Sequence, residues 1–160
     1  MTPDQALSAA YDILPAKYRS AQASVLLLVI QRQENPKRLH KQVGGPAVGD
    51  YQFEIGGGIT GVLEHEKVGP VAVEACKHLG VTPTAPAVYR ALQLPDSDVL
   101  AAVFARLFLY TDPNQLPLIG DAEAGWECYL RTWRPGAVKR QRDQLHAKWR
   151  ANYEYVYRQL

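Results

Sequence analysis

Apolar positions recur along most of this chain at helical spacing. Over Asp4 to Leu14, the residues Ala6, Leu7, Ala10, Tyr11 and Leu14 fall on one face, and Pro15 ends the pattern. Ser20 is a suitable N-cap for a second helix running to about Gln33. The Asn35-Pro36 pair closes that helix, because a residue before proline is driven out of the helical region. Its middle, Val25 to Ile30, is apolar on every side, which predicts a central, buried helix.

From Pro36 to Gly61 the pattern changes. Gly44, Gly45, Pro46, Gly49, Gly56, Gly57, Gly58 and Gly61 permit loops and a short hairpin but no long helix. Within this insert Tyr51, Gln52, Phe53 and Glu54 alternate as a strand would, with the aromatics on one face and Gln52 and Glu54 on the other. Helical spacing then resumes over Leu63 to Leu79, with Gly80 as a stop, and over Ala85 to Leu92. Further helices are predicted from an Asp96 or Ser97 cap to about Tyr110, from an Asp121 cap to about Thr132, and from about Val138 to the end. The expected fold is one domain spanning residues 1–160. It is mainly α, with an α+β character supplied only by the insert: a central buried helix, a Gly-rich loop or short hairpin, and a surrounding helical bundle. A loop held by such a scaffold is where function usually sits.

Composition narrows the picture only a little. The chain has 160 residues, 47% of them hydrophobic and 21% charged, which suits one ordinary core. A net charge of +2 gives no whole-molecule field that selects a partner. The apolar run Val25 to Ile30 is far too short to span a bilayer, and Met1 to Leu14 has neither the basic nor the apolar region of a secretory signal. The protein is therefore expected to be made in the cytosol and to need delivery if its target lies outside. Cys76 and Cys128 read as two reduced thiols. His40, His65, His78 and His146 have no metal-ligand spacing, so neither a metal nor a cofactor is expected.

One residue carries the most chemistry. Glu34 follows Ile30 by four positions and Leu27 by seven, so the three share a helix face. That sets a carboxyl group on the last turn of a buried helix above an apolar stripe. Desolvation and the negative end of the helix dipole both favour its protonated form, as a general acid for glycosidic cleavage requires. By periodicity alone, Glu34 pointing into water or pairing with Arg38 is the slightly favoured reading.

The stretch Glu34-Asn35-Pro36 followed by Gly49-Asp50-Tyr51-Gln52 resembles the core signature of lytic transglycosylases and related phage endolysins of the lysozyme superfamily. There a helix-terminal Glu is the acid, and a Gly-Leu-Met-Gln type segment lines the cleft. A closer similarity is to small phage lysozyme-like proteins that carry a Gly-Gly-Pro-Ala-x-Gly-x-x-Gln-Phe-Glu-x-Gly-Gly-Gly run and a late Trp-x-x-Tyr-Leu-Arg-x-Trp-Arg-Pro-Gly run. Gly44 to Gly58 and Trp126 to Gly136 match these runs, and the resemblance covers roughly residues 20–136. The chain departs from the pattern where Asn35-Pro36 replaces the usual Ser, and where Tyr110-Thr111-Asp112-Pro113 stands for a Tyr-Asn-Ala-Gly motif.

The resemblance implies cleavage of peptidoglycan glycan strands between N-acetylmuramic acid and N-acetylglucosamine. Glu34 would be the catalytic acid and base, with Gln52, Glu54, Asp50, Tyr51 and Tyr110 as substrate-binding residues. It further implies a monomer that reaches the wall after holin-type release or within a virion. A second carboxylate, Asp50 or Glu54, would set the mechanism by its distance from Glu34. The rival reading is an inactive lysozyme-like phage protein that is structural or wall-binding. Trp126 and Trp133 are candidates for stacking on sugars, with core packing the better expectation. The basic C-terminal helix, with Leu145, Trp149, Tyr153 and Val156 on one face, reads as a docking helix, and nucleic acid is not an expected partner.

Overall fold

A computed structural model describes residues 1–160. The chain forms eight α-helices and no β-strand. They are α1 (Pro3–Ile13), α2 (Ala21–Glu34), α3 (Thr60–Glu64), α4 (Gly69–His78), α5 (Ala85–Ala91), α6 (Asp98–Tyr110), α7 (Ala122–Trp133) and α8 (Val138–Tyr157). A 3-10 turn at Ala16–Tyr18 and a π-helical turn at Ile55–Ile59 complete the regular structure.

Two of these helices form the centre. In α2, Leu26, Leu27, Val29 and Ile30 are buried, and in α6 every residue from Leu100 to Leu107 is. Helices apolar all round can be stable only when other helices cover them. Accordingly α1 packs on α6, and α8 on α2 and α7. α8 supplies Trp149, Tyr153 and Val156 to the core and leaves its basic residues outside, so the docking face expected from its spacing is present. Trp126 is 1% exposed and lies flat against His146 at 4.8 Å, which makes it a core residue.

The local stop and start signals act as their chemistry dictates. Ser20 and Asp121 accept hydrogen bonds from the Ala23 and Ala124 amides. Gly80 ends α4 at a φ of 72°, a left-handed conformation that suits glycine. One expected helix is divided. Leu63 to Leu79 breaks at His65–Val68 into α3 and α4. Pro70 lacks an amide hydrogen and sits in the first turn of α4, where none is needed. The chain must fold back there, and a Cβ on Gly69 would come within 2.6 Å of the Leu63 carbonyl oxygen.

The insert is not a hairpin of strands. Two isolated antiparallel bridges, Lys41 with Val48 and Val48 with Phe53, replace it. Val48 and Phe53 exchange both backbone hydrogen bonds at 2.9 Å around a tight loop over residues 49–52, and Gln52 takes a φ of 55° to close it. A residue with positive φ cannot continue a pleated strand. The alternation of burial survives: Tyr51 and Phe53 are 1% and 2% exposed, while Glu54 is exposed.

The insert is pinned by charge. Arg38 donates from Nε and Nη2 to the two carboxylate oxygens of buried Asp50, at 3.0 and 2.6 Å, and reaches Asp98 at 3.2 Å. Removing Arg38 leaves Asp50 buried and ionised without its fork. Arg38→Ala is expected to cost about 3 kcal/mol in urea unfolding. Asp98→Asn, which keeps the Arg38–Asp50 pair, should cost under about 1 kcal/mol. Equal losses in the two variants would contradict this assignment.

Candidate active site

Glu34 occupies the last turn of α2, half-buried, and no charged partner reaches it within ion-pair distance. Arg38, four residues on in the sequence, is committed to Asp50 and Asp98. Burial is the largest influence on Glu34 and pushes its pKa from 4.5 to about 7. The Lys148 ammonium and the Tyr129 hydroxyl oppose the shift, and the negative charge of Glu54 adds to it. Lys148 belongs to α8 and donates to the Gln33 carbonyl at 3.0 Å, capping α2 from outside. Tyr129, on α7, is 1% exposed, and its own ionisation is suppressed by burial and by Glu34.

Asn35 fixes where Glu34 stands. It is 5% exposed, and its side-chain amide nitrogen donates to the carbonyls of Leu39 at 2.8 Å and Gly49 at 3.2 Å. Its side-chain oxygen accepts from the Leu39 amide at 3.0 Å. Its backbone carbonyl accepts from Gln31 Nε2 at 2.8 Å. The residue after the glutamate is thus the clamp between the end of α2 and the base of the insert.

A cleft of about 800 Å³ opens beside this point, between the insert, the C-terminal end of α6 and the C-terminal end of α7. Gln52, Glu54 and Gly56 to Gly58 form one wall, and Thr111 to Asn114 with Arg131 to Arg134 form the other. Its apolar floor is a cluster of rings: Trp133 lies over Phe53 at 5.9 Å and edge-on to Phe108 at 5.0 Å. Trp133 Nε1 donates to the Tyr51 carbonyl at 3.1 Å, which locks the indole half-exposed on the cleft side. The glycine run permits this closeness: a Cβ on Gly58 would strike the Phe53 ring. Glu34 is not on the lining itself. Glu54 is the residue that both lines the cleft and acts on Glu34.

The expected site residues therefore divide. Gln52 and Glu54 reach the cleft, although the Gln52 amide nitrogen is folded back onto the Gly49 carbonyl at 3.1 Å. Asp50 does not: it is 2% exposed against Arg38, because a buried carboxylate needs its counter-charge more than it needs the cleft. Tyr51 is buried under the floor with its hydroxyl unpartnered. Tyr110 packs at a tilt against Tyr18 at 4.9 Å and lines a different cavity, because the chain leaves α6 at Thr111 with Tyr110 turned toward the 3-10 turn. Tyr129 and Lys148 escape a reading of spacing alone. Tyr129 lies within the matched Trp126 to Gly136 run, but nothing local ties either residue to Glu34.

Compared with protein-family models, with curated proteins and with solved structures, the chain finds no significant match.

The buried acid leaves a signature in stability. Folded, Glu34 holds its proton up to about pH 7, whereas unfolded it releases it near 4.5. Between those values the folded chain binds more protons, so stability falls as pH rises through that window and levels above it. The loss is on the order of 3 kcal/mol. Glu34→Gln should flatten this slope, matching the native protein near pH 4 and exceeding it at pH 8 in thermal unfolding. An unchanged slope would mean that Glu34 is not the buried acid.

Proposed function

We propose that this protein cuts peptidoglycan glycan strands between N-acetylmuramic acid and N-acetylglucosamine, on a lysozyme-like helical scaffold, with Glu34 as its acid and base. The observation that carries this reading is one half-buried glutamate that keeps its proton to about pH 7 beside an open cleft. A group protonated near neutrality is suited to protonating a leaving oxygen. The open cleft and its aromatic floor suit a polymer of sugar rings, whose apolar faces stack on indole.

In the first step Glu34 gives its proton to the glycosidic oxygen as the bond to C1 breaks. Its carboxylate then removes a proton from the nucleophile that attacks C1. If that nucleophile is water, a reducing end forms, and Glu54 is the carboxylate of the insert free to assist it. If it is the C6 hydroxyl of the same sugar, an anhydro end forms and no second carboxylate takes part. Asp50 is excluded from either role by its pair with Arg38. Gln52 is left to orient the substrate, through an acetamido group. Wall penetration or lysis in a phage life cycle is the setting this chemistry serves, with a single chain as the working unit and nucleic acid no partner.

Incubation of purified peptidoglycan with the native protein should clear it, and Glu34→Gln should lower the rate by at least about 100-fold. Inactivity of both proteins would leave the wall-binding reading in its place. Mass analysis of the fragments separates reducing from anhydro ends. Because Glu34 must enter the reaction protonated, activity should decline above about pH 7. Tyr129→Phe removes a group that favours the anion and should move that alkaline limb upward. Glu54→Gln removes a neighbouring charge and should move it downward. Limbs that stay fixed in both variants would reject Glu34 as the titrating acid.

A further inference from the structure

Away from the cleft, one charge in the core has no counterpart. Arg106 is 3% exposed in the middle of α6. Its Nε donates to the Tyr18 carbonyl at 2.7 Å, tying the 3-10 turn to α6. Its Nη1 is buried without a partner, and the Tyr11 hydroxyl stands close enough to favour its charged form. None of the ion pairs of the molecule includes it. A guanidinium does not shed its proton to escape burial, so the charge must be met by something else. The Tyr18 and Tyr110 rings, each 5.8 Å away, meet part of it.

Beside Arg106 opens a second cavity of about 310 Å³, which Arg106, Tyr110, Lys67 and Asn114 help to line. Lys67 is exposed and in no ion pair. A third cation, Lys17, stands 5.3 and 5.6 Å from the Tyr18 and Tyr110 rings. One carboxylate, Asp112, also borders the cavity, but Arg131 at 2.9 Å and Asn114 at 3.0 Å already hold it. The Tyr18 hydroxyl, fully buried, is a further polar group without a partner. Two cations thus line the cavity and a third stands against the Tyr110 ring, with no unpaired acid among the lining residues.

We infer that this cavity binds a small oxyanion, a phosphate or carboxylate group, held by Arg106 from the core side and by Lys67 at the rim, with Lys17 adding positive charge from beside the Tyr110 ring. With Nη1 enclosed, Arg106 lines the cavity without presenting a two-pronged fork, and the lysines add point charges. That arrangement recognises charge more than shape, so it suits a tetrahedral and a planar oxyanion alike. The cavity exceeds the volume of a bare ion, since a water occupies about 30 Å³. It accommodates the anionic group together with the body that carries it. The site does not depend on the chemistry proposed for Glu34. The two cavities share only Asp112, Pro113 and Asn114 in their linings.

The test is calorimetric titration of inorganic phosphate, and separately of acetate, into the full chain at an ionic strength held constant with sodium chloride. Saturable one-to-one binding of either probe is expected. Phosphate alone identifies a phosphate ligand, acetate alone a carboxylate, and both a site for either oxyanion. Lys67→Ala and Lys17→Ala should each weaken binding about twofold to fivefold. Arg106→Gln should weaken it more than about tenfold, while Lys77→Ala, an exposed lysine outside this lining, should leave it unchanged. If Arg106→Gln fails to fold, the two lysine variants decide. Absence of saturable heat with both probes, or binding equal in the native and lysine variants, overturns the site.

Discussion

The amide of Asn35 holds the end of the central helix to the insert, and most of what is distinctive here depends on it. A helix buried on all sides cannot end by fraying into water. Its last carbonyls and the chain that leaves it need partners in place. The Asn35 backbone amide and Lys148 meet the Gln31 and Gln33 carbonyls, and the Asn35 side chain is short enough to hold both the Leu39 turn and the Gly49 carbonyl. Proline at the next position removes the option of another helical turn. Glu34 is therefore held one residue before a fixed point, and the loop that forms the cleft wall starts from that same point.

The carboxylates around this point are sorted by their counter-charges. Asp50 lies deepest, and Arg38 neutralises it across two oxygens. Glu54 lies outermost, where water serves it. Glu34 lies between, buried enough to prefer its proton and too far from Arg38 to be paired. Three acids within one small region thus acquire a structural, an electrostatic and a proton-holding character from their burial and their counter-charges. The external helix α8 joins in this ordering. Its Lys148 caps α2 and limits how far the Glu34 pKa rises, so a helix that docks for packing also tunes the acid.

α6 shows the same economy with the sign reversed. It is the most apolar helix of the chain, and it carries Arg106 in its middle. One hydrogen bond and two aromatic faces make this burial tolerable, and the bond fixes the short turn that leads into α2. Both central helices therefore bury one ionisable group, each beside a cavity, at opposite signs of charge.

The sequence by itself determined the helices, because apolar spacing, Ser20 and Asp121 caps and the Gly80 stop act within a few residues of themselves. It also placed Glu34 on the face of Leu27 and Ile30, and Tyr51 and Phe53 on one common face, since both follow from periodicity. The exception is the helix expected over Leu63 to Leu79, which breaks at His65–Val68 ahead of Pro70. The tertiary structure alone decided what each polar group meets. Whether Arg38 served Glu34 or Asp50, whether Tyr110 faced the cleft or Tyr18, and which residue of a distant helix stood against Glu34 are questions of long-range proximity. The insert shows the boundary between the two. Its alternation was local and held, but Gln52 closed the loop at positive φ to meet the Val48–Phe53 bridge, so no strand formed. Periodicity specifies which way a side chain turns, and only the packed chain specifies what it finds there.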